Sequence, residues 1–287
     1  MNRNNRKSKR FHKYKTKYQL FKREAKNHKA AFTVYIILRA LVITVAAVSF
    51  IRGDYQNFFL CILSLILFLI PAFVSKNFGI RLPETLQIIV LFFIFASQIL
   101  GEISGFYVKI SIWDSLLHGT TGFLAAAIGF ALIDILNRTE KIKFRISPMY
   151  MAVVAFCFSM TVGVVWEFFE FSMDWFFGLD MQKDHIIQTI SSVSLNDTTL
   201  NEVVQIENIT KVLVETNNGT LYDLSALGIN GYLDIGIVDT MKDLFVNMIG
   251  AFVFSVIGFF YIKQRGRGKF AKKFIPTLAD EKKQKPD

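Results

Sequence analysis

The sequence has few cysteines and lacks several common catalytic motifs. Its two cysteines, Cys61 and Cys157, lie in apolar stretches. Two are too few for a disulfide framework, and both are predicted to be small buried apolar side chains. The 287 residues contain no phosphate-binding glycine-rich loop, no GxSxG and no HExxH. These absences disfavour P-loop chemistry, the serine hydrolase mechanism and the HExxH zinc protease mechanism.

Long apolar runs are abundant instead. Hydrophobic residues make up 52% of the chain, and the mean hydropathy is +0.38. Six runs approach the roughly 20 residues that cross a bilayer: about 31–51, 56–75, 84–100, 112–136, 148–172 and 241–262. The first run is too long for a signal peptide and has no cleavage site of small residues. The sequence therefore predicts an all-α integral membrane protein, a six-helix transmembrane bundle.

Basic residues are concentrated in the tails. Residues 1–30 hold twelve Lys/Arg and one acid, and residues 263–287 hold nine Lys/Arg and three acids. The 76–83 and 137–147 loops are also basic, whereas the connecting segments between these basic ones are not. Lys/Arg-rich loops stay in the cytoplasm. This pattern predicts a multi-pass protein of the plasma (bacterial inner) membrane with both termini cytoplasmic.

The same pattern divides the chain into five parts. These are a basic cytoplasmic tail, spans one to five, an extracytoplasmic β-rich loop, span six and a second basic tail: 1–30, 31–177, 178–238, 239–263 and 264–287. The tails are expected to touch anionic lipid. No folded nucleic-acid recognition module accompanies them, so nucleic acid is not an expected partner. Protein partners and the oligomeric state stay open.

The 178–238 loop is polar and rich in β-branched residues. Lys211–Thr216 and Thr220–Tyr222 flank Asn217-Asn218-Gly219, which predicts a hairpin because Asn-Gly suits a tight turn. Residues 186–195 form a second candidate strand. The loop is thus predicted to be a small β-rich cap, with the roles of lid, partner-binding surface and plain connection left open.

Three acidic motifs lie at the ends of three apolar runs. Each motif is a pair of residues three or four positions apart, a spacing that places both on one face of a helix. The pairs are Asp114 with His118, Glu167 with Glu170, and Asp239 with Asp243. Spans four and six run inward and span five runs outward. All three motifs are therefore expected at the outer end of the bundle, at one depth.

Five carboxylates and one imidazole in a partly desolvated volume cannot all stay ionised and unpaired. They retain protons or bind cations, and this ligand set suits a divalent metal, with Mg, Mn, Ca, Zn and Fe all open. A bound metal would acidify a water, and Glu170, if it stays off the metal, is the first candidate for a base. Helix capping is the competing interpretation for Asp114, Asp239 and Asp243. It fits Glu167 and Glu170 poorly because they come late in their span.

Around these motifs the chain resembles the YjdF-like family of uncharacterised multi-pass bacterial inner-membrane proteins. The resemblance rests on three segments within residues 80–262: Trp113–Gly119, Trp166–Glu170 and Gly236–Asp243 running on to Gly250-Ala251. The long 178–238 insertion and the basic N-terminal tail depart from the family pattern. The resemblance implies a six-span membrane fold and supplies no activity, substrate or cofactor.

The leading hypothesis is a metal-dependent hydrolase of a lipid or envelope substrate, with its site opening at the outer face. An ion- or proton-coupled transporter is the first alternative. It predicts acids through the depth of the membrane, whereas the inner halves of spans four to six contain few besides Asp134. A non-enzymatic envelope protein that binds a partner is the second alternative.

Overall fold

The computed structural model describes residues 29–78, 80–138, 146–199, 201–264, 268 and 270–278. Within them, six helices are long and apolar enough to cross a membrane, and several small strand pairs are present. The predicted six-helix fold class is confirmed. The basic tail at residues 1–28, the basic loop at 139–145 and residues 265–267 and 279–287 lie outside the described residues.

The N-terminal half is built from three spans. Helix α1 covers Lys29–Ile51, and the second span is divided into α2 (Tyr55–Leu67) and α3 (Ile70–Phe78). The third span is α4 (Glu84–Phe95), continued by a π-helix over Ala96–Ile103. Helix α1 packs against α2 and α4. Apolar side chains fill the space between them.

The C-terminal half contains the other three spans. A short helix, α5 (Phe106–Lys109), leads to α6 (Trp113–Arg138), α7 (Pro148–Phe177) and α8 (Ile237–Lys263), which pack against one another. Glycines bring α6 and α8 close together, as expected for membrane helices. A Cβ added at Gly122 would lie 2.1 Å from the carbonyl oxygen of Asn247, and one at Gly250 would lie 2.1 Å from that of Gly119.

A segment that follows all six spans packs between the two halves. We call residues 270–278 the C-terminal wedge. Its Ala271, Phe274 and Ile275 are buried, and the Phe274 ring lies 5.0 Å from the Phe123 ring of α6. Strand β8 (Thr277–Leu278) pairs antiparallel with β1 (Ile80–Arg81). The wedge contacts α4, α6 and α8, so it fills part of the seam between the halves.

The segment between α7 and α8, residues 179–236, is called the insertion, and the end of the bundle it covers is called the insertion end. It contains three antiparallel strand pairs: β2 (Ile186–Ile187) with β7 (Tyr232–Leu233), β3 (Ile190–Ser192) with β4 (Val204–Ile206), and β5 (Leu213–Glu215) with β6 (Leu221–Asp223). The β5–β6 pair confirms the predicted hairpin. Gly219 occupies its turn with φ of 81°.

The prediction of one strand over residues 186–195 is wrong in its extent. The segment is divided into β2 and β3, followed by a 3₁₀ turn at Val193–Leu195. The Ser192 hydroxyl accepts a hydrogen bond from the Ser194 amide at 3.0 Å and so caps that turn. A local side-chain bond therefore ends the strand before Leu195.

The prediction that both cysteines are buried is wrong for Cys157. Cys61 is buried in the N-terminal half, whereas Cys157 is exposed on α7. Ala155 and Ser159 of α7 face the core with no exposed surface. Helical periodicity then turns the residue between them toward the outside of the bundle.

Candidate metal centre

Five of the six predicted ligands meet at the insertion end of the C-terminal half. We call them the cluster: Asp114 and His118 from the start of α6, Glu167 and Glu170 from the last turns of α7, and Asp243 from the second turn of α8. The antiparallel arrangement of α6 and α8 against α7 brings these distant segments to one level. The prediction of a common depth for their motifs therefore matches the geometry.

His118 lies in the middle of the cluster, with carboxylates on both sides of its ring. Its Nδ1 is 3.6 Å from Glu167 Oε1, and its Nε2 is 3.7 Å from Asp114 Oδ1 and 3.9 Å from Asp243 Oδ2. Two groups have ligand atoms within 4.8 Å of one another: Asp114, His118 and Asp243, and His118, Glu167 and Glu170. Each group has the spacing of a cation site, and they share the imidazole.

Two carboxylates of the cluster are buried without hydrogen bonds. Glu167 is 3% exposed and Asp243 is 1% exposed, and none of their four oxygens has a hydrogen-bond partner among the described residues. Thr240 and Gln182 lie close to Glu167, and the Asp114 carboxylate lies close to Asp243. Burying an unpaired carboxylate is strongly unfavourable. Because His118 lies between the two carboxylates, a positive charge would bind on one side of its ring or the other.

Glu170 has a partner that sequence analysis missed. The indole Nε1 of Trp166 donates a hydrogen bond to Glu170 Oε1 at 2.8 Å. The indole ring is 45% exposed on the outside of α7, whereas Glu170 is 9% exposed. The four-residue spacing within one helix was the available signal, since it places the two side chains one turn apart. Trp166 thus connects the surface of the bundle to the cluster.

The sixth predicted ligand, Asp239, lies outside both groups. Its Oδ2 accepts a hydrogen bond from the Lys183 amide at 2.9 Å, and its Oδ1 lies 3.8 Å from Lys242 Nζ. The side chain is buried in the first turn of α8. Asp239 therefore joins the insertion to α8, a contact across 56 residues of sequence that no local pattern signals.

Residues 181–185, which we call the strap, cross the insertion end from α7 to α8. The amides of Met181 and Gln182 donate to the Asp174 carboxylate at 2.6 and 2.8 Å. The amide of His185 donates to Asp234 Oδ1 at 2.6 Å. Sequence analysis singled out neither Asp174 nor Asp234. Both carboxylates hold backbone amides, so they give the strap a defined path.

Asp234 also caps the start of α8. Its Oδ2 accepts from the Val238 amide at 2.7 Å and its Oδ1 from the Gly236 amide at 3.3 Å. Burial of Asp234 acts to raise its pKa, but the three backbone hydrogen bonds outweigh burial and hold the pKa below its ordinary value. A carboxylate that stays ionised here interacts favourably with the positive end of the helix dipole and so stabilises the start of α8.

Buried polar side chains become sparse one turn below the cluster, with Ser255 of α8 and Asp134 of α6 farther along the bundle. Asn247 of α8 is 1% exposed, and its Nδ2 lies 3.5 Å from the carbonyl oxygen of Ser159 and 3.7 Å from the sulfur of Met160. Gly163 leaves room for it, because a Cβ there would lie 2.7 Å from Asn247 Nδ2. The layer beneath is apolar and fully buried: Ala126, Ala127, Phe130, Ala251 and Phe254.

Comparison with known proteins gives a family match over most of the chain. The model of a family described as "Predicted membrane protein (DUF2238)" matches residues 33–264. A Thermotoga maritima protein described as "Uncharacterized protein" is 27% identical over 94 residues. That match covers 33% of this chain and 46% of the relative, so it spans about half of the relative's length. No solved structure matches.

Proposed function

We propose that this chain, which belongs to the DUF2238 family of predicted membrane proteins, binds a divalent cation in the cluster at its insertion end. The observation that carries the proposal is the pair of buried carboxylates, Glu167 and Asp243, whose four oxygens have no hydrogen-bond partner among the described residues. The family match confirms the resemblance to an uncharacterised family of multi-pass membrane proteins that the sequence motifs indicated.

The donors fit such an ion. Carboxylate oxygens and one imidazole suit Mg, Mn, Ca, Zn or Fe, and the binding group spans three helices. A metal-bound histidine usually donates its other ring nitrogen to a carboxylate. His118 has a carboxylate oxygen within 4 Å of each ring nitrogen. An ion on either side of the ring would therefore leave a carboxylate to orient the imidazole.

The proposed orientation follows the distribution of Lys and Arg. Both termini lie in the cytoplasm of the plasma (bacterial inner) membrane, and the cluster lies near the extracytoplasmic face. The basic tails contact anionic lipid. In this orientation the insertion covers the outer ends of α7 and α8.

The proposed activity is hydrolysis of a lipid or envelope substrate. A divalent ion bound here would act as a Lewis acid and would lower the pKa of a water molecule, which makes hydroxide available for attack. Glu170 takes the proton from the attacking water and returns it to the leaving group, so protons balance. The bond from Trp166 to its Oε1 holds the carboxylate and leaves Oε2 to act as the base. The ligands are Asp114, His118 and Asp243 on the Nε2 side of the ring, and Glu167 on the Nδ1 side orients the imidazole.

The layer below Asn247 favours this activity over transport. Ala126, Phe130 and Phe254 are fully buried and fill the space between α6 and α8. A transported ion would have to pass through this layer with few polar groups besides the Ser255 hydroxyl, at a high desolvation cost. A site that opens at one end of the bundle fits this packing better than a pathway through it.

Elemental analysis of the detergent-purified protein tests the proposal. The wild type should carry stoichiometric metal, and the His118→Ala, Glu167→Ala double variant should carry none. Glu170→Gln should retain the metal, because it removes a base and not a required ligand. Asp180→Asn is the matched control, since this exposed acid pairs with Lys183 at 3.2 Å, away from the cluster. Metal that is absent from the wild type, or retained by the double variant, would overturn the proposal.

A further inference from the structure

The strap packs over the first turn of α8, beside the cluster. Gln182 contacts the start of α8, where its Nε2 donates to Thr240 Oγ1 at 2.5 Å. A Cβ added at Gly236 would lie 2.6 Å from Gln182 Cβ, so the strap lies directly on the first turn of α8. Beside it, the Lys183 amide donates a hydrogen bond to Asp239 Oδ2. The strap therefore covers the gap between the ends of α7 and α8 at this position.

The cluster comes close to the lateral surface at Trp166. The indole is nearly half exposed while its Nε1 is bonded to Glu170, so one side chain separates the cluster from the surroundings of α7. Its neighbours at helical spacing on that face are exposed and apolar: Val162, Val165 and Phe169. In a membrane-spanning helix such a strip faces lipid.

The depth of the cluster matches the boundary between hydrocarbon and head groups. Glu170 lies seven residues before the end of α7 and Asp243 six residues after the start of α8. At 1.5 Å per residue these positions are about 10 Å from the helix ends. The 30-residue α7 is about 45 Å long, which matches the roughly 40–45 Å of a whole bilayer around a core of about 30 Å. Head groups then occupy about 7 Å on each side, so the cluster lies a few ångströms inside the hydrocarbon edge, just below the glycerol and phosphate groups.

We propose that the substrate of the metal site is a phosphate-bearing membrane lipid, admitted from the bilayer beside Trp166. The inference rests on the proposed metal site. The four carboxylates of the cluster without an ion would repel a phosphate, whereas a bound divalent ion attracts phosphate oxygens. The ion therefore binds first and the lipid second, with the lipid tails remaining against the apolar strip on α7.

Quenching of Trp166 emission tests this order in the full chain. Trp113→Phe and Trp175→Phe leave Trp166 as the only tryptophan, since the chain has three. The protein is reconstituted into phosphatidylcholine vesicles that contain a minor fraction of phosphatidic acid brominated on its acyl chains. Mn²⁺ is then added, and emission is compared with that in unbrominated vesicles. Brominated phosphatidylcholine at the same fraction is the lipid control.

The proposal expects Mn²⁺ to at least double the quenching by brominated phosphatidic acid and to leave that by brominated phosphatidylcholine unchanged. Adding His118→Ala and Glu167→Ala should abolish the effect. Inorganic phosphate should not reverse it; reversal would assign the site to soluble phosphate and overturn the proposal. Quenching that is independent of Mn²⁺ would also overturn it.

Electron paramagnetic resonance of the same samples separates the two proposals. If Mn²⁺ binds but quenching does not respond, the lipid inference fails and the metal site stands. If no Mn²⁺ binds, both fail. The wild-type chain with all three tryptophans should show the same change with a smaller amplitude. This second measurement keeps the test valid if the two Phe substitutions destabilise the protein.

Discussion

The two halves of the bundle use spans of similar length but fill their interiors differently. Between α1, α2 and α4 the core consists of interlocking apolar side chains, among them Leu38, Val42, Phe68 and Ile94. Between α6, α7 and α8 the insertion end holds the cluster, and glycines sit at the helix contacts. Bulky cores hold helices apart and give a scaffold, whereas small residues bring helices close enough for side chains on three of them to meet.

The glycines and the acids of the C-terminal half therefore depend on each other. Gly119 and Gly122 lie on the same helix as Asp114 and His118, and a Cβ at either would press on α8. The closest contacts come within one or two turns of the cluster. In the N-terminal half, the glycine with a comparably close contact among the described residues is Gly101, where an added Cβ would lie 2.4 Å from the Tyr107 ring. That contact is with a side chain and not with the backbone of another span, so the packing of this half is expected to tolerate substitution better.

The largest effect should come from breaking the close approach of α6 and α8. Gly250→Val places atoms within 2.1 Å of the Gly119 carbonyl oxygen and 2.9 Å of the Phe123 amide nitrogen. Because both are backbone atoms, we expect a loss of about 3 kcal/mol in the free energy of unfolding. Thermal or denaturant unfolding in detergent measures it.

Gly53→Asn, beside the N-terminal half, is the matched control. Gly53 has φ of 73° and no atom within 4 Å of an added Cβ, and Asn tolerates this conformation. Its effect should stay within about 0.5 kcal/mol. Equal losses in the two variants would refute the contrast between the halves.

The second largest effect is a change in the free energy of unfolding that has opposite signs without and with metal. Asp243→Asn removes a buried charge that has no hydrogen bond, so the chelator-treated protein should gain about 1–3 kcal/mol of stability. The variant should also lose the stabilisation that metal gives the wild type, about 2.7 kcal/mol at a metal concentration 100 times Kd. Unfolding with and without chelator measures both. Asp239→Ala, which removes the acceptor of the Lys183 amide, should lower stability in both conditions.

A smaller effect is expected at the start of the N-terminal half. Glu84 Oε1 of α4 accepts hydrogen bonds from the amides of Ala30 and Ala31 at 2.8 and 3.2 Å. It caps α1 from a neighbouring helix, so Glu84→Ala should cost about 1 kcal/mol. Glu84→Gln keeps an acceptor oxygen and should cost less. If unfolding measurements show Glu84→Gln to be less stable than Glu84→Ala, this capping role is wrong.

The smallest effect is expected in the insertion, where neither type of packing applies. Lys211 Nζ lies 2.7 Å from Asp223 Oδ2, and this bond, with the Ser225 hydroxyl, holds the pKa of Asp223 at about 2. The contribution is present above the ordinary pKa of 3.8 and is lost as pH falls toward 2. Lys211→Met should raise the pKa of Asp223 in an NMR titration. Lys242→Met should leave it unchanged, and neither should alter stability measurably at neutral pH, because exposed pairs contribute little.

Sequence patterns predicted the spans and the meeting of three motifs because hydropathy and charge bias act over whole segments. They did not reveal that Asp239 binds Lys183, since that contact depends on the path of the strap. They placed Cys157 inside, because average hydropathy does not tell which face of a helix a residue occupies. The wedge lies within the predicted basic tail, where Phe274 and Ile275 are too few to form a span yet are buried.

Because the wedge follows all six spans in the chain, insertion of the helices into the membrane and closure of the seam are separate steps. Residues 270–278 leave the ribosome after every span, but Phe274 and Ile275 complete the seam between the halves. All six helices can thus be threaded into the membrane before the seam closes. Until then, the two halves are inserted but lack their final contact. The seam therefore closes only after the sixth span has been synthesised.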